Sequence, residues 1–303
     1  MLGIKPDYQS VKICPLCKSV GLQRSKLTRT NYYFGKFAIC LPNEGVYLCE
    51  CTKCSLLFKS AVPTKEFFSK VMSESATHVW QPKLGVHPAL DLVLPYLKKP
   101  LKSVLDVGAS NGDLISQLKP FTSSVSAIDV VEYPQCRLVT KEYIISEIEG
   151  VLDWSGDKYD VVTAFDIFEH FLNTQTALTN ISSTLKNGGY LIVETGDWDC
   201  YKHNLGQWYY ANLFEHQIFW NKKSFGYFCE QYGYSIVEYK NCIHKGRRNL
   251  GLLKRYAMEL VVQLSSLPMF QRLVIIAGKG DPLRFASTSL VDHAFIVMMK
   301  NNV

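Results

Sequence analysis

The stretch from Lys102 to Asp129 has the spacing of a strand, a tight turn, a helix and a second strand. A short apolar run ends at Gly108, and leucine and isoleucine recur with helical spacing over 111–118. Gly108 and Gly112 allow a sharp turn in which the backbone approaches a ligand closely. The second apolar run ends at Asp129, which a parallel sheet places beside the turn and within reach of ribose hydroxyls. The pattern predicts a nucleoside-binding βαβ unit.

The turn itself differs from the phosphate-binding turn of dinucleotide-binding proteins. Ala109 and Ser110 stand where that fingerprint has further glycines, and the acidic Asp106 precedes the turn. A carboxylate there suits a cationic ligand better than a pyrophosphate. The alternative is an ordinary α/β turn without a ligand. The turn resembles the first motif of class I S-adenosylmethionine (SAM) methyltransferases, and the segments 159–170 and 185–194 resemble later motifs of the same family.

This resemblance covers roughly residues 100–240 and implies SAM as the cofactor. Together with the turn, it points to a cofactor site made of eight residues. These are Asp106, Gly108, Ala109, Ser110, Gly112, Asp129, Phe165 and Asp166. In the family, the residues after the fourth strand line the methionine portion of SAM, and here these are Phe165 and Asp166.

Strand and helix patterns alternate beyond Asp129. A third strand is expected at 138–145, a helix at 174–185 that stops at Gly188 and Gly189, and a further helix at 222–232. Before the turn, 31–34 and 46–48 have strand-like content.

The alternation of strands and helices predicts an α/β fold with a doubly wound, Rossmann-like sheet. The resemblance implies seven strands, the last of them antiparallel and formed by 293–298. We predict a zinc-binding β module at 1–60, a linker or helical cap at 61–100, and a methyltransferase domain at 101–303. A helical insertion is predicted at about 250–280, where it would cap the pocket or form the face of a homodimer.

Ten cysteines in a chain without an export signal favour thiols and metal over disulfides. Cys14 and Cys17 form one C-x-x-C pair, and Cys51 and Cys54 form another. Two such pairs supply four thiolates in the tetrahedral arrangement that Zn²⁺ prefers. Four protein ligands leave no open coordination position, so this zinc is predicted to be structural. A redox dithiol or unbound thiols are the alternatives.

Charge and hydropathy restrict the partners of the chain. The net charge of +6 is not gathered into runs except at His244–Arg248, which we interpret as a solvated loop rather than a phosphate-binding patch. The chain shows no signal peptide and no apolar stretch of about 20 residues, so we predict a cytoplasmic protein without a membrane span. The cysteine module has no concentrated basic face, which argues against nucleic acid as the substrate.

The segment 195–221 is dense in aromatic residues and is predicted to be a loop that lines or packs a pocket. Within it, Leu213-Phe-Glu-His216 resembles the Tyr-x-Glu-His element of nucleotide-sugar C-methyltransferases, which carries their base. Leu213 replaces that tyrosine, and C-methylation is therefore in doubt. For O-methylation we predict His216 as the base, with Glu215 holding its tautomer and His170 as the second choice. The neighbouring Glu169 and His170 are otherwise interpreted as structural.

The sequence therefore predicts a SAM-dependent methyltransferase that acts on a sugar hydroxyl, in a nucleotide-sugar or in a saccharide of a surface polysaccharide or secondary metabolite. Methylation of a sugar carbon or of a non-sugar hydroxyl, such as a lipid-linked or aromatic one, is the nearest alternative. Two further hypotheses are an RNA methyltransferase and a SAM-binding scaffold without activity. The RNA hypothesis is weakened because Asp166-Ile-Phe-Glu169 stands where amino-group methyltransferases carry an Asn/Asp-Pro-Pro-aromatic element.

Overall fold

A computed structural model of the chain describes residues 2–4, 7–29, 31–79, 87–97, 102–150, 158–244 and 291–302. The helical insertion predicted at about 250–280 lies outside these residues. Among the helices that the structure describes, none combines the length and the apolar character needed to cross a membrane.

The N-terminal part of the chain consists of short strands. They are β1 (Leu2–Ile4), β2 (Tyr8–Ser10), β3 (Gly21–Lys26), β4 (Asn31–Phe34), β5 (Phe37–Cys40), β6 (Tyr47–Cys51), β7 (Leu57–Lys59) and β8 (Ala61–Pro63). One sheet has the order β1-β5-β4, a second joins β3, β6 and β7, and β2 pairs with β8. The strand content expected in 31–34 and 46–48 corresponds to β4 and β6.

The rest of the chain is built on a large sheet. Its seven strands are β9 (Lys102–Val107), β10 (Thr122–Asp129), β11 (Glu142–Ile145), β12 (Tyr159–Phe165), β13 (Leu185–Gly196), β15 (Tyr234–Cys242) and β16 (His293–Lys300). The short strand β14 (Ile218–Phe219) lies outside this sheet. The sheet has seven strands in the order β11-β10-β9-β12-β13-β16-β15. β16 runs antiparallel to both of its neighbours. The predicted seven-stranded Rossmann-like sheet with an antiparallel last strand is confirmed.

Helices cover the sheet and connect its strands. They are α1 (Lys65–Val79), α2 (Leu90–Val93), α3 (Asp113–Leu118), α4 (Pro134–Val139), α5 (Thr174–Thr184) and α6 (Lys222–Tyr232). α6 shows why such a segment is helical: Asn221 and Ser224 form a reciprocal capping box at its start, and Gly233 adopts a left-handed conformation at its end. Phe225 and Phe228 lie on the buried face of α6.

Three boundaries differ from the sequence prediction. The third strand, predicted over 138–145, begins only at Glu142, because Pro134 starts a helix that runs through Val139. The first helix begins at Asp113 rather than at residue 111, since Gly112 takes a left-handed conformation before it. Gly188 and Gly189, expected to stop helix α5, lie inside β13, which follows the helix directly at Leu185.

The N-terminal strands and the large-sheet domain are joined by strand pairing and side-chain contacts. β14 pairs antiparallel with β7, so the segment after β13 adds a strand to the sheet that contains β6. Phe214 packs against Tyr32 and Phe68, with ring centroids 6.2 and 5.6 Å away. The ammonium group of buried Lys59 donates a hydrogen bond of 2.7 Å to the carbonyl oxygen of Leu213. These contacts tie the segment around His216 to the N-terminal strands.

Candidate functional site

The turn between β9 and α3 is shaped by residues in left-handed backbone conformations. Gly108 has a φ of +73°, and a Cβ atom there would overlap the side chain of Ile167. Gly112 has a φ of +79°, and its missing Cβ leaves room for the backbone of Cys136. Ser110, between them, also has a positive φ of 51°. Side chains larger than hydrogen are therefore excluded at two points of the turn, where Ile167 and Cys136 of the chain itself fill the space.

Two carboxylates flank this turn. Asp106 at the end of β9 is buried, and its Oδ1 accepts a hydrogen bond of 2.6 Å from the hydroxyl of Thr163. Asp129 at the end of β10 accepts a 2.7 Å hydrogen bond from the backbone N–H of Ser110 and a 3.1 Å bond from that of Val131. Burial raises the pKa of Asp129 to about 6. The backbone N–H of Val130 also donates to this carboxylate, and because two carboxylate oxygens offer about four acceptor positions, Asp129 keeps capacity for a hydroxyl donor.

The segment after β12 continues the same edge of the sheet. Phe165, the last residue of β12, is buried beneath this edge, and Ala109 of the turn belongs to the same apolar cluster. Asp166 follows with a positive φ of 56°, an uncommon conformation for a residue other than glycine. Its Oδ2 lies 2.9 Å from Nε2 of His244, which follows β15. The carboxyl ends of β9, β10, β12 and β15 thus contribute polar groups to one edge.

Three ionisable residues meet at the far side of this segment. Glu169 is fully buried, and its Oε1 lies 3.6 Å from Nε2 of His170 and 3.8 Å from Nε2 of His216. The other oxygen of Glu169 accepts a 2.7 Å hydrogen bond from the hydroxyl of Thr195. Burial, aided by the charge of Asp166, raises the pKa of Glu169 to about 7. The carboxyl group of Glu169 therefore titrates near neutral pH.

The tautomer of His216 follows from its surroundings. Nδ1 of His216 lies 2.8 Å from the carbonyl oxygen of Tyr210, which can only accept, so Nδ1–H is the donor. The lone pair of the neutral ring is therefore on Nε2, the nitrogen that faces Glu169. Burial lowers the pKa of His216 well below its usual value, and the neighbouring positive charges of His170 and Lys59 act in the same direction. The ring is neutral at pH 7.

Comparison with known proteins identifies the domain that carries this edge. The profile of a family described as "Methyltransferase domain" matches residues 83–239, slightly more than half of the chain. The chain belongs to this methyltransferase family. The match spans the turn after β9, the segment after β12 and the loop that carries His216. The predicted class of enzyme, a SAM-dependent methyltransferase, is confirmed.

Curated relatives of this methyltransferase share its domain only in part. The mitochondrial ubiquinone biosynthesis O-methyltransferase of Homo sapiens is 28% identical over 148 residues, which cover 39% of this chain and 40% of the relative. The ubiquinone biosynthesis O-methyltransferase of Vibrio atlanticus is 32% identical over 102 residues, covering 31% of this chain and 43% of the relative. The methyltransferase thus spans less than half the length of these two relatives.

The chain is similar to a solved structure of the 1,6-didemethyltoxoflavin-N1-methyltransferase of Burkholderia thailandensis. That structure contains bound 1,6-didemethyltoxoflavin and S-adenosylhomocysteine. It is 13% identical with a TM-score of 0.47, and the similarity covers 76% of this chain and 84% of that chain.

The structure places Glu215 elsewhere than beside the ring of His216, where it is predicted. Glu215 was expected to hold the tautomer of His216, but the carbonyl oxygen of Tyr210 accepts from Nδ1, and the carboxylate that faces Nε2 is that of Glu169. Glu215 is buried near Lys59, and its charge raises the pKa of that lysine against the effect of burial. The sequence signal for Glu169 was present in the Glu169-His170 pair, which we had interpreted as structural.

The aromatic residues of segment 195–221 pack the methyltransferase rather than line an open pocket. Trp208, Phe219 and Trp220 are fully buried. The indole N–H of Trp208 donates to Asp292, and that of Trp220 donates to the carbonyl oxygen of Phe168. Of the two expectations for this segment, lining a pocket or packing one, these three buried side chains fit packing.

The four cysteines of the C-x-x-C pairs converge, which fits a metal ion. Their Sγ atoms all lie within 4.8 Å of one another. Cys14 Sγ is 3.5 Å from Cys54 Sγ, and Cys17 Sγ is 3.2 Å from Cys51 Sγ. A tetrahedron with zinc–sulfur bonds of about 2.3 Å has sulfur–sulfur distances of roughly 3.8 Å. The donor set and its spacing therefore suit Zn²⁺. Glu169, His170 and His216 form another group whose ligand atoms lie within 4.8 Å of one another.

Proposed function

We propose that this chain transfers the methyl group of SAM to a hydroxyl oxygen of a small molecule. The observation that carries the proposal is the state of His216 in a domain of the methyltransferase family. Its Nδ1–H is bound to a carbonyl oxygen, and its neutral Nε2 stands next to Glu169 at the carboxyl edge of the sheet. A neutral imidazole with a fixed tautomer is suited to remove a hydroxyl proton.

The cofactor would lie against the turn after β9. Gly108 and Gly112 give the turn its left-handed conformations beside Asp129, and Asp129 would accept hydrogen bonds from the ribose hydroxyls. Asp106 supplies negative charge near the turn, which suits a cationic sulfonium compound. Ala109, Ser110, Phe165 and Asp166 would complete the surroundings of the cofactor.

In the reaction, SAM supplies an activated methyl group, and the residues of the chain position and deprotonate the acceptor. Nε2 of His216 would take the proton of the acceptor hydroxyl, which would make that oxygen a stronger nucleophile toward the methyl group. The pKa of Glu169 is raised to about 7, and its ionised carboxylate stabilises the charged imidazole of His216. His170 stands on the other side of Glu169 and remains the second candidate for the base.

The class of acceptor is argued from two observations. Trp208, Phe219 and Trp220 of segment 195–221 are buried, so they offer no exposed face for stacking on a sugar. Several curated relatives are named ubiquinone biosynthesis O-methyltransferases, which favours a non-sugar hydroxyl. We therefore place a non-sugar hydroxyl first and the predicted sugar hydroxyl second. The cysteine module is proposed to bind a structural zinc ion.

Replacement of His216 tests the proposed chemistry. Acceptors from both classes, a catechol set and a nucleotide-sugar set, are incubated with radiolabelled SAM, and the wild-type chain is expected to label one class. His216→Ala is expected to lower turnover by about 10²- to 10⁴-fold, the usual contribution of a general base, with SAM affinity unchanged. His203→Ala, which replaces an exposed histidine, serves as the control. Unchanged turnover in His216→Ala, or loss of SAM binding together with turnover, contradicts the assignment.

A further inference from the structure

A second group of polar side chains lies at the carboxyl edge of the sheet, apart from Glu169 and His216. Asp166 follows β12, His244 follows β15, and His293 begins β16. These three elements end or begin at the same edge, because β16 runs antiparallel to β15 and β13. One ligand atom from each of the three residues lies within 4.8 Å of the others. Oδ2 of Asp166 and Nε2 of His244 are already 2.9 Å apart.

The most informative member of this group is His293. Its side chain is fully buried, and its Nδ1 lies 2.7 Å from Oδ1 of Asp292. Among the described residues, Nε2 of His293 has no hydrogen-bond partner. A buried polar nitrogen without a partner costs about 1–3 kcal/mol, so a native protein usually provides something for it.

The arrangement of His293 and Asp292 is the one that metal-binding histidines use. A histidine ligand commonly donates one ring N–H to a carboxylate, which fixes the tautomer and leaves the other nitrogen free for the ion. Asp292 is itself held in place, since its Oδ2 accepts a hydrogen bond of 3.2 Å from the indole N–H of Trp208. The orphaned Nε2 is therefore oriented by two successive buried hydrogen bonds.

We propose that Asp166, His244 and His293 bind a divalent transition-metal ion. Two imidazoles and one carboxylate are ligands that Zn²⁺, Fe²⁺ and similar ions prefer, whereas Mg²⁺ and Ca²⁺ prefer oxygen ligands alone. With bonds of about 2.0–2.2 Å, two ligand atoms on one ion lie roughly 3–3.5 Å apart. The 2.9 Å separation of Asp166 and His244 is close to that range, and the ligand atom of His293 lies within 4.8 Å of both. The cluster of Glu169, His170 and His216 is the competing group, and it already contains the proposed base.

Three protein ligands leave coordination positions open. The side chains of Asp166 and His244 are each 25% exposed, so solvent reaches the site. If the proposed methyl transfer holds, an acceptor oxygen bound at an open position would be more acidic and held near the cofactor. This second role rests on the proposed function, whereas the binding of the ion does not.

Metal content tests the site without SAM or an acceptor. The folded full-length chain is dialysed to equilibrium against micromolar Zn²⁺, and zinc per chain is measured by mass spectrometry. His244→Ala replaces a partly exposed residue and is expected to retain one zinc ion fewer than the wild type. His244→Asp, which keeps a ligand atom, is expected to restore that ion. His203→Ala, outside the cluster, is expected to match the wild type.

The comparison between variants removes the contribution of the cysteines, whatever they bind. Circular dichroism verifies that each variant is folded. Equal zinc content in His244→Ala and wild type overturns the proposal. Loss of the ion in His216→Ala with retention in His244→Ala also overturns it, because the ion would then belong to the neighbouring cluster.

Discussion

His216 illustrates how a single side chain acquires its chemistry from its neighbours. The carbonyl oxygen of Tyr210 fixes the proton on Nδ1, and the ring of Tyr210 lies 4.0 Å from that of His216 between centroids. Burial keeps the ring neutral, and Glu169 stands opposite the free nitrogen. The proposed base is therefore held in one tautomer before any substrate arrives.

The affinity for SAM is expected to fall as the pH is lowered, because Asp129 becomes protonated. Burial raises the pKa of its carboxyl to about 6, so the residue is ionised at pH 7.5 and mostly protonated at pH 5. The ionised form is the better acceptor for ribose hydroxyls, so binding should weaken about tenfold between these two pH values. Titration calorimetry over this range measures the effect.

Asp129→Asn supplies the control, because an amide does not titrate. This variant is expected to bind more weakly than the wild type at pH 7.5 and to show no comparable change down to pH 5. In the unliganded protein the sign is opposite: a carboxyl whose folded pKa is raised destabilises the fold above pH 6, and lowering the pH through 6 relieves this cost. An affinity that is independent of pH in the wild type argues against Asp129 in the site.

At the scale of single residues, sequence reasoning located Asp129 because a strand end beside a glycine turn is a local pattern. The proximity of Glu169 to His216 was not predicted, for a physical reason. Its relation to His216 depends on two segments 47 positions apart that meet only after the sheet has formed. Glu215 adjoins His216 in sequence, but its buried side chain lies near Lys59.

Among the elements, helix α6 offers a matched pair of substitutions. Gly226 lies inside the helix, and a Cβ there meets no atom within 4 Å, so Gly226→Ala should stabilise the protein by about 0.5–1 kcal/mol. Gly233 has a φ of +72° at the end of the helix, and Gly233→Ala should destabilise it by about 1–2 kcal/mol. Urea denaturation of both variants measures the free energy of unfolding. Changes of the same sign in both would contradict this account of the helix.

Element prediction succeeded where the pattern was local and long. Helix α6 has the predicted bounds 222–232, and in the structure an asparagine cap and a final glycine frame it. The third strand was predicted too long, since the apolar residues 138–139 belong to a helix begun by Pro134. Leu138 is largely exposed, and a sequence pattern alone does not reveal that.

At the scale of the whole molecule, the cysteine module and the methyltransferase sheet are expected to depend on each other. Ile218 pairs with Phe58, and Lys59 holds the carbonyl oxygen of Leu213, on either side of His216. Loss of the proposed zinc, by a chelator or by Cys51→Ser, should therefore lower the thermal midpoint of the entire chain and reduce methyl transfer. Near-ultraviolet circular dichroism during heating measures this midpoint.

Cys40→Ser is the matched control for that prediction, because Cys40 is exposed and lies outside the cluster of four thiols. This variant should keep the wild-type midpoint. An unchanged midpoint in zinc-depleted protein would show that the two parts unfold independently.

The sharing of strands between module and sheet was beyond sequence reasoning. The spacing of the four cysteines predicts their cluster, and the alternation of strands and helices predicts a doubly wound sheet. The pairing of β14 with β7 joins residues about 160 positions apart, and β14 has only two residues. A segment so short carries no periodicity from which pairing could be inferred.

The measurement that tests the account most directly is a calorimetric titration of the folded chain with S-adenosylhomocysteine at pH 7.5. We compare wild type, Asp129→Ala and Glu132→Ala, whose side chain is half exposed and lies three residues away. The account predicts saturable binding to wild type and Glu132→Ala, and binding about 10- to 100-fold weaker in Asp129→Ala, the cost of losing hydrogen bonds to a charged group. Absence of binding to the folded wild type, or equal binding in Asp129→Ala, would contradict the cofactor site on which the proposed methyl transfer depends.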